Sequence, residues 1–275
     1  MVATSVTVEC LRFQPETLRA GAHFTALMGA AGRAGLHVRE TGAYHGHSEW
    51  LLVWGPGGHD RQAAMTRHIA TGGRAIAMDL AYWDRNTKTR VSIDAPHPQA
   101  WVMRREWPAA RFVGDRVPVA QVWKTTGPII IAGIGRKARA QYEADVVSKW
   151  ETAMLAECRK RWPARRVFYR KKQADAPAPQ DVPLMGMGPI DQALINASLV
   201  ITWHSNVAVD AIRMGIPVVC KDGAAAAVCP SELPDEPTPL PVEIRDRFLA
   251  NLAWFQWNPA TESAQMWAWL QELLS

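Results

Sequence analysis

Polar side chains gather at the ends of apolar runs in this chain. Trp203, His204, Ser205 and Asn206 follow directly on Leu199 to Thr202, and a short helical stretch from Val207 to Met214 comes next. Gly215 and Pro217 stop that helix before a second apolar run ending at Cys220. Strand, polar turn, helix and strand read as a βαβ unit. Ser205 or Asn206 can cap the helix, whose first-turn N–H groups and positive dipole end suit an anionic ligand. Any parallel α/β domain contains the same pattern without a ligand, so the pattern alone leaves the site open.

Two further junctions carry positive charge. The run Ile129 to Ala132 leads into Gly133, Ile134, Gly135, Arg136, Lys137 and Ala138, where glycines let backbone approach a phosphate and the two cations supply charge. Val167 to Tyr169 ends in Arg170, Lys171 and Lys172, which can hold a diphosphate or form a solvated loop edge. Gly133, Gly135 and Ala138 also satisfy a loose dinucleotide pattern, but the next strand lacks the acidic ribose ligand, leaving NADP as the dinucleotide compatible with Arg170.

Acid–base candidates sit in the first half. The strand Arg74 to Met78 ends at Asp79, with Tyr82, Trp83 and Asp84 just beyond, and His97 is held between Pro96 and Pro98. As general base the order of preference is Asp79, His97, then Asp84. His45 and His47 lie in a polar, glycine-rich run, and Gly57 and Gly58 in the turn after Trp54; with Tyr82 and Trp83 these are the acceptor-side candidates.

Strands over Ser5 to Phe13, Leu36 to Arg39, Trp50 to Trp54 and Arg90 to Asp94, with helices over Pro15 to Ala34 and His59 to Ala70, would position that first set. Prolines and glycines interrupt Trp107 to Pro128, which reads as a linker, and a long helix is expected from the glycine turn to about Lys160. The tail from Val242 reads as two helices around Asn258 and Pro259, packing through Trp254, Trp257, Trp267 and Trp269. The expected division is an acceptor-side domain over 1–125, a donor domain over 126–242 and C-terminal helices over 243–275 that return to the first domain.

With 275 residues, 48% hydrophobic and 21% charged, the chain can build real cores and is not disordered. A net charge of +5 favours an anionic partner without separating nucleic acid from nucleotide. The four cysteines show no CxxC pair and no metal-ligand spacing, so buried thiols in a reducing cytoplasm are expected. The apolar runs are strand-sized and the amino terminus lacks the layout of a signal peptide, so no membrane association is expected.

The stretch Ser198 to Cys220 resembles the nucleotide-sugar site of GT-B glycosyltransferases. That resemblance implies two Rossmann-like α/β domains facing a cleft, C-terminal helices crossing back, and Asp210, one turn beyond Asn206, facing the nucleotide ribose. The first-half elements YHGHSEW, GPGG, MDLAYWDR and RVSIDAPHP resemble uncharacterised phage-encoded proteins. Phage glycosyltransferases of this fold include enzymes that modify 5-hydroxymethyl pyrimidines such as 5-hydroxymethylcytosine in DNA. The implied activity is sugar transfer from a UDP-sugar to a hydroxyl, with double-stranded DNA as favoured acceptor, in the cytoplasm of an infected cell. The protein would be monomeric and need no cofactor or metal, the donor resting on Gly133, Gly135, Arg136, Lys137, Arg170, Lys172 and Trp203 to Asn206. A polysaccharide or small-molecule acceptor, and a non-catalytic nucleotide- or DNA-binding protein of this fold, are the alternatives.

Overall fold

The computed structural model describes residues 6–12, 18–55, 58–135, 139 and 142–275. The chain divides into two compact units, Met1–Pro98 with Phe255–Ser275, and Gln99–Trp254.

The first unit holds a six-stranded sheet. Strands β1 (Thr7–Leu11), β2 (His37–Thr41), β3 (Trp50–Trp54), β4 (Arg74–Leu80), β5 (Thr89–Ile93) and β10 (Gln256–Trp257) run in the order β10-β5-β4-β3-β1-β2. The pairs from β2 to β4 are parallel, whereas β5 and β10 are added antiparallel. Continuous burial suits the central strands, as in Trp50 to Val53, while β2 is polar and exposed at the edge. Helices α1 (Leu18–Arg33) and α2 (His59–Ala70) link the parallel strands, and α8 (Pro259–Leu274) packs on α1. Asn258 caps α8 by accepting the Ala260 N–H at 3.0 Å, with Pro259 in the first turn, where a missing N–H costs nothing. The Trp267 indole donates to the Leu27 carbonyl at 2.8 Å.

The second unit repeats the parallel arrangement. Strands β6 (Ile129–Ala132), β7 (Val167–Arg170), β8 (Leu199–Thr202) and β9 (Val218–Cys220) lie in the order β7-β6-β8-β9, all parallel. This matches β2-β1-β3-β4 of the first unit. Helices α3 (Ala110–Asp115), α4 (Ala144–Arg161), α5 (Ile190–Leu194), α6 (Val207–Arg213) and α7 (Val242–Ala253) accompany the sheet, with a 3-10 turn at Ala224–Ala227. Gly215, at φ +70°, ends α6 as expected: its N–H bonds the Ile212 carbonyl at 3.0 Å, and that of Ile216 bonds Ala211 at 2.9 Å. The core of this unit includes Ile129, Ile131, Leu155, Tyr169, Leu199, Ile201 and Val219.

The compact units divide the chain differently from the expected domains. The division falls at 98/99 rather than 125/126, because the segment read as a linker is bonded into the second unit: Ala120 N–H to the Arg213 carbonyl and Val122 N–H to Met214, both at 3.0 Å, and the Trp123 indole to Ser198 at 3.0 Å. The tail helices part at 254/255, α7 belonging to the second unit and α8 to the first, with β10 between them. Pro15, Glu16 and the start of the helix expected from Arg136 lie outside the described residues, and α4 begins at Ala144. Among the described residues no helix is long and apolar enough to cross a membrane.

Candidate functional site

The strand order of the second unit creates a place for a ligand. From β6 the chain passes to β7 on one side and later reaches β8 on the other, so the loops leaving β6 and β8 diverge. Ligands of open parallel sheets sit in the crevice outside the carboxyl ends at such a point. Gly133 and Gly135 follow β6, and Trp203, His204, Ser205 and Asn206 follow β8. Buried Thr202 ties the two ends together: its hydroxyl donates to the Ala132 carbonyl at 2.8 Å and accepts the Ser205 N–H at 3.3 Å. Ser205 Oγ accepts the Val207 N–H at 3.4 Å, a weak cap, and Asn206 caps only through its backbone position.

Asp222, in the loop after β9, closes this region. Its Oδ1 accepts Gln99 Nε2 at 3.0 Å and the Gly223 N–H at 2.6 Å; its Oδ2 accepts the Tyr142 hydroxyl. The Asp222 N–H donates to the Trp203 carbonyl at 2.6 Å. Gly223, at φ +92°, passes so close to His204 that a Cβ would lie 3.1 Å from its carbonyl oxygen. The Tyr142 ring stands 5.5 Å from Trp203 and 5.3 Å from His204 between centroids, and Trp150 meets Trp203 edge-on at 5.4 Å. Carboxylate, phenol, amide and imidazole therefore share one strand-end region.

A buried network supports the glycine turn. Arg139, 3% exposed, donates to Glu151 Oε2 at 2.5 Å, the Tyr169 hydroxyl at 3.0 Å, Ser148 Oγ at 3.0 Å and the Ile134 carbonyl at 3.3 Å. Tyr169 donates to Glu151 at 2.9 Å. Burial raises the Glu151 carboxyl above its ordinary value, and Arg139 and Tyr169 pull it back down. Gly133 has a packing reason to be glycine, since a Cβ there would lie 2.0 Å from the Tyr169 oxygen. At Gly135 a Cβ would stand 3.5 Å from Lys172 Cδ and from Gln173 Oε1, so that lysine stem and the glycine turn are neighbours.

Other expected donor residues are used differently. Arg170 spends its guanidinium on the carbonyls of Gly186, at 2.7 Å, and Gly188, bracing the loop after β7. Asp210 lies in the first turn of α6 with its carboxylate 3.8 Å from Arg213. Arg136 and Lys137 lie outside the described residues.

In the first unit, Asp79 pairs with Arg90 at 3.0 Å, and Arg90 stands 5.8 Å from the Tyr82 ring centroid. The Tyr82 hydroxyl reaches His97 Nδ1 at 3.3 Å, so these four residues form one chain of contacts. His97 is 4% exposed, and Tyr82 and Trp83 belong to the core, their N–H groups donating to Gln256 Oε1 at 2.6 and 3.2 Å. Asp84 stands apart at an exposed turn with φ +49°, its carbonyl accepting the Thr87 and Lys88 N–H groups. His45 and His47 are exposed on a loop held by Glu9, whose carboxylate accepts the N–H groups of His45 at 2.7 Å and Gly46 at 3.2 Å. Gly58 is the backbone cap of α2, and Gly57 lies outside the described residues.

The sequence reading missed Tyr142, Gln99, Arg139 and Glu151 as site-building residues. Asp222 is legible as an acid two residues past a buried strand, but its partners come from residues about 80 and 120 positions away in the chain. Among the described residues no group of three or more His, Cys, Asp or Glu side chains comes together as a metal site.

No protein-family model and no curated protein matches the sequence. Among solved structures, the chain is similar to the beta Kdo 2,4 transferase of KpsC from Thermosulfurimonas dismutans, with TM-score 0.54 and 10% identity over 93% of this chain and 94% of that one. The beta Kdo 2,7 transferase of the same KpsC gives TM-score 0.53 and 12% identity over 97% and 100%. At such identities the likeness is one of fold. The chain has the two-domain, Rossmann-like α/β fold of GT-B glycosyltransferases.

Proposed function

We propose that the protein is a glycosyltransferase that binds a nucleotide-activated sugar, UDP-linked, at the β6–β8 crevice of its second unit. The observation that carries this reading is the convergence at that crevice of Gly133, Gly135, Lys172, Trp203 to Asn206 and the Tyr142–Asp222 pair. The shared fold with two sugar transferases supports it. So does charge: 21 basic and 16 acidic residues lie in the second unit, ten of each in the first, so the whole excess of +5 belongs to the unit with the crevice. In the reaction an acceptor oxygen bonds the anomeric carbon as the bond to the diphosphate breaks, and the hydroxyl proton passes to a base. Lys172, with Arg136 and Lys137, would stabilise the departing diphosphate, a role that needs no metal. Asp79, His97 and Asp84 are the candidate bases, and Asp210 the candidate ribose partner.

For the acceptor we propose 5-hydroxymethyl pyrimidine in double-stranded DNA, as in phage-encoded enzymes acting within an infected cell, with the protein working as a monomer. A saccharide acceptor is the second reading, favoured by the fold shared with transferases named for Kdo.

Thermal melting against UDP, UDP-sugars, other nucleoside phosphates and NADPH tests the donor site. A ligand at about 100 times its Kd adds roughly 2.7 kcal/mol, a clear rise in Tm. A rise with UDP and one UDP-sugar, lost in Lys172→Ala, is expected. No rise with any nucleotide would remove the proposal.

A further inference from the structure

Arginines and tryptophans alternate along residues 101–111 of the second unit, and one buried amide holds that segment in place. Asn251, 1% exposed on α7, accepts the Trp107 N–H at 3.0 Å and donates to the carbonyls of Val102 at 2.8 Å and Arg105 at 2.9 Å. The Arg104 guanidinium stands 4.0 Å from the Trp101 ring centroid, and that of Arg105 stands 3.6 Å from Trp107. Trp107 stacks on Trp254 at 5.1 Å; Arg111, 6.0 Å from the Trp254 ring, donates to the Ala253 carbonyl at 2.9 Å. Arg104 and Arg105 are exposed. A guanidinium held against an indole gives up little freedom when it meets an anion.

Charge and ring coverage together define the partner. Arg104, Arg105, Arg111 and Arg116 are set against only Glu106 and Asp115 in this stretch, and Arg247 lies 3.8 Å from Glu106. Every cation is arginine, whose planar fork matches phosphate oxygens. Trp107 is 8% exposed and covered by Arg105 and Trp254, so it offers no free face on which a base or sugar ring could stack. Charge is the handle these arginines offer, and a duplex, with one negative charge about every 1.7 Å, matches it densely.

We infer that Arg104, Arg105, Arg111 and Arg247, braced around Trp101, Trp107 and Trp254, form a surface that binds the phosphate backbone of double-stranded nucleic acid without reading its sequence. For its role this rests on the DNA-acceptor reading above. The test uses no sugar donor, so failure of the donor site and failure of this surface are distinguishable.

Fluorescence anisotropy of the full chain with a labelled, unmodified duplex of about 20 base pairs, titrated between about 50 and 200 mM salt, measures the surface directly. Wild type should bind two unrelated duplex sequences equally and weaken steeply with salt. Arg104→Ala with Arg105→Ala should bind about tenfold or more weakly at the lowest salt and lose about 1.8 from the log–log salt slope, as expected for two lost phosphate contacts. Arg104→Lys with Arg105→Lys, which keeps the charge and guards against misfolding, should bind between the two. Lys149→Ala with Lys160→Ala, at exposed positions on α4, should bind like wild type. No duplex binding at the lowest salt, an equal loss in the Lys149/Lys160 variant, or tighter binding to heparin than to the duplex would each overturn the inference, the last in favour of an acidic polysaccharide.

Discussion

The Tyr142 hydroxyl donates to the Asp222 carboxylate, joining the residue two places before α4 to the loop after β9. A hydrogen bond to a charged group contributes about 1.5 to 3 kcal/mol, and this one also sets the Tyr142 ring beside His204. Tyr142→Phe is expected to keep the fold, lower stability by about 1 to 2 kcal/mol and weaken nucleotide-sugar binding. Urea unfolding and ligand titration of the same preparation measure both losses. Unchanged affinity would show that the pair serves only the fold.

Gly133→Ala should destabilise the protein by about 1 to 3 kcal/mol, the usual cost of overpacking, because its new methyl meets the Tyr169 oxygen. Tyr169→Phe removes that oxygen. The double variant should be more stable than the sum of the single losses predicts, and a double-mutant cycle in urea reads the coupling. Strict additivity would place the strain elsewhere.

Arg139→Met leaves the Glu151 carboxylate buried without its guanidinium and should cost about 3 to 5 kcal/mol near neutral pH. Burial already raises the Glu151 carboxyl, and losing Arg139 removes what pulls it down. A carboxyl raised in the folded state favours folding at low pH and loses that advantage as pH rises. The deficit of Arg139→Met should therefore shrink as pH falls toward about 5, and adding Glu151→Gln should recover much of it at neutral pH. Urea midpoints across that range give the answer.

His68 is 1% exposed, and burial pushes its imidazole below the ordinary value of 6.5, opposed by the Glu49 carbonyl and the Glu9 and Asp94 charges. Below that value the unfolded chain binds more protons than the folded one, so stability is present above about pH 6.5 and is lost as pH falls. His68→Gln, neutral throughout, should show a flatter dependence between about pH 7.5 and 5. Parallel curves for the two proteins would exclude His68 as the source.

The thiols of Cys10, Cys158 and Cys229 are pushed up to about 12 by burial, and Cys220 is raised too. Thiolate is the reactive form. A soluble thiol reagent at about pH 8 should label the native protein slowly at all four positions and the urea-unfolded protein at once. Rapid labelling of Cys10, Cys158 or Cys220 in the native protein, located by peptide mass, would contradict their burial.

Short-range chemistry made much of the fold legible in the residues themselves. Ile129 to Ala132 and Leu199 to Thr202 are too apolar for anything but buried strands, Gly215 can only stop a helix before Pro217, and the polar set after Thr202 marked a strand end. The resemblance carried by that stretch agrees with the GT-B fold of the structure. Pairings across long separations were decided only by tertiary structure. Trp107 to Pro128 reads as a linker because prolines and glycines break its periodicity, yet Asn251 binds Trp107, and the Arg213 and Met214 carbonyls bind Ala120 and Val122, into the second unit. Arg170 reads as a phosphate ligand from its place after a strand, but whether a guanidinium meets a ligand or the carbonyls of Gly186 and Gly188 depends on where a later loop folds. Tyr142, Gln99 and Asp222 show no common pattern along the chain. Local propensity acts over a few residues, whereas the crevice is set by strand order, and strand order is fixed by how the sheet buries its faces.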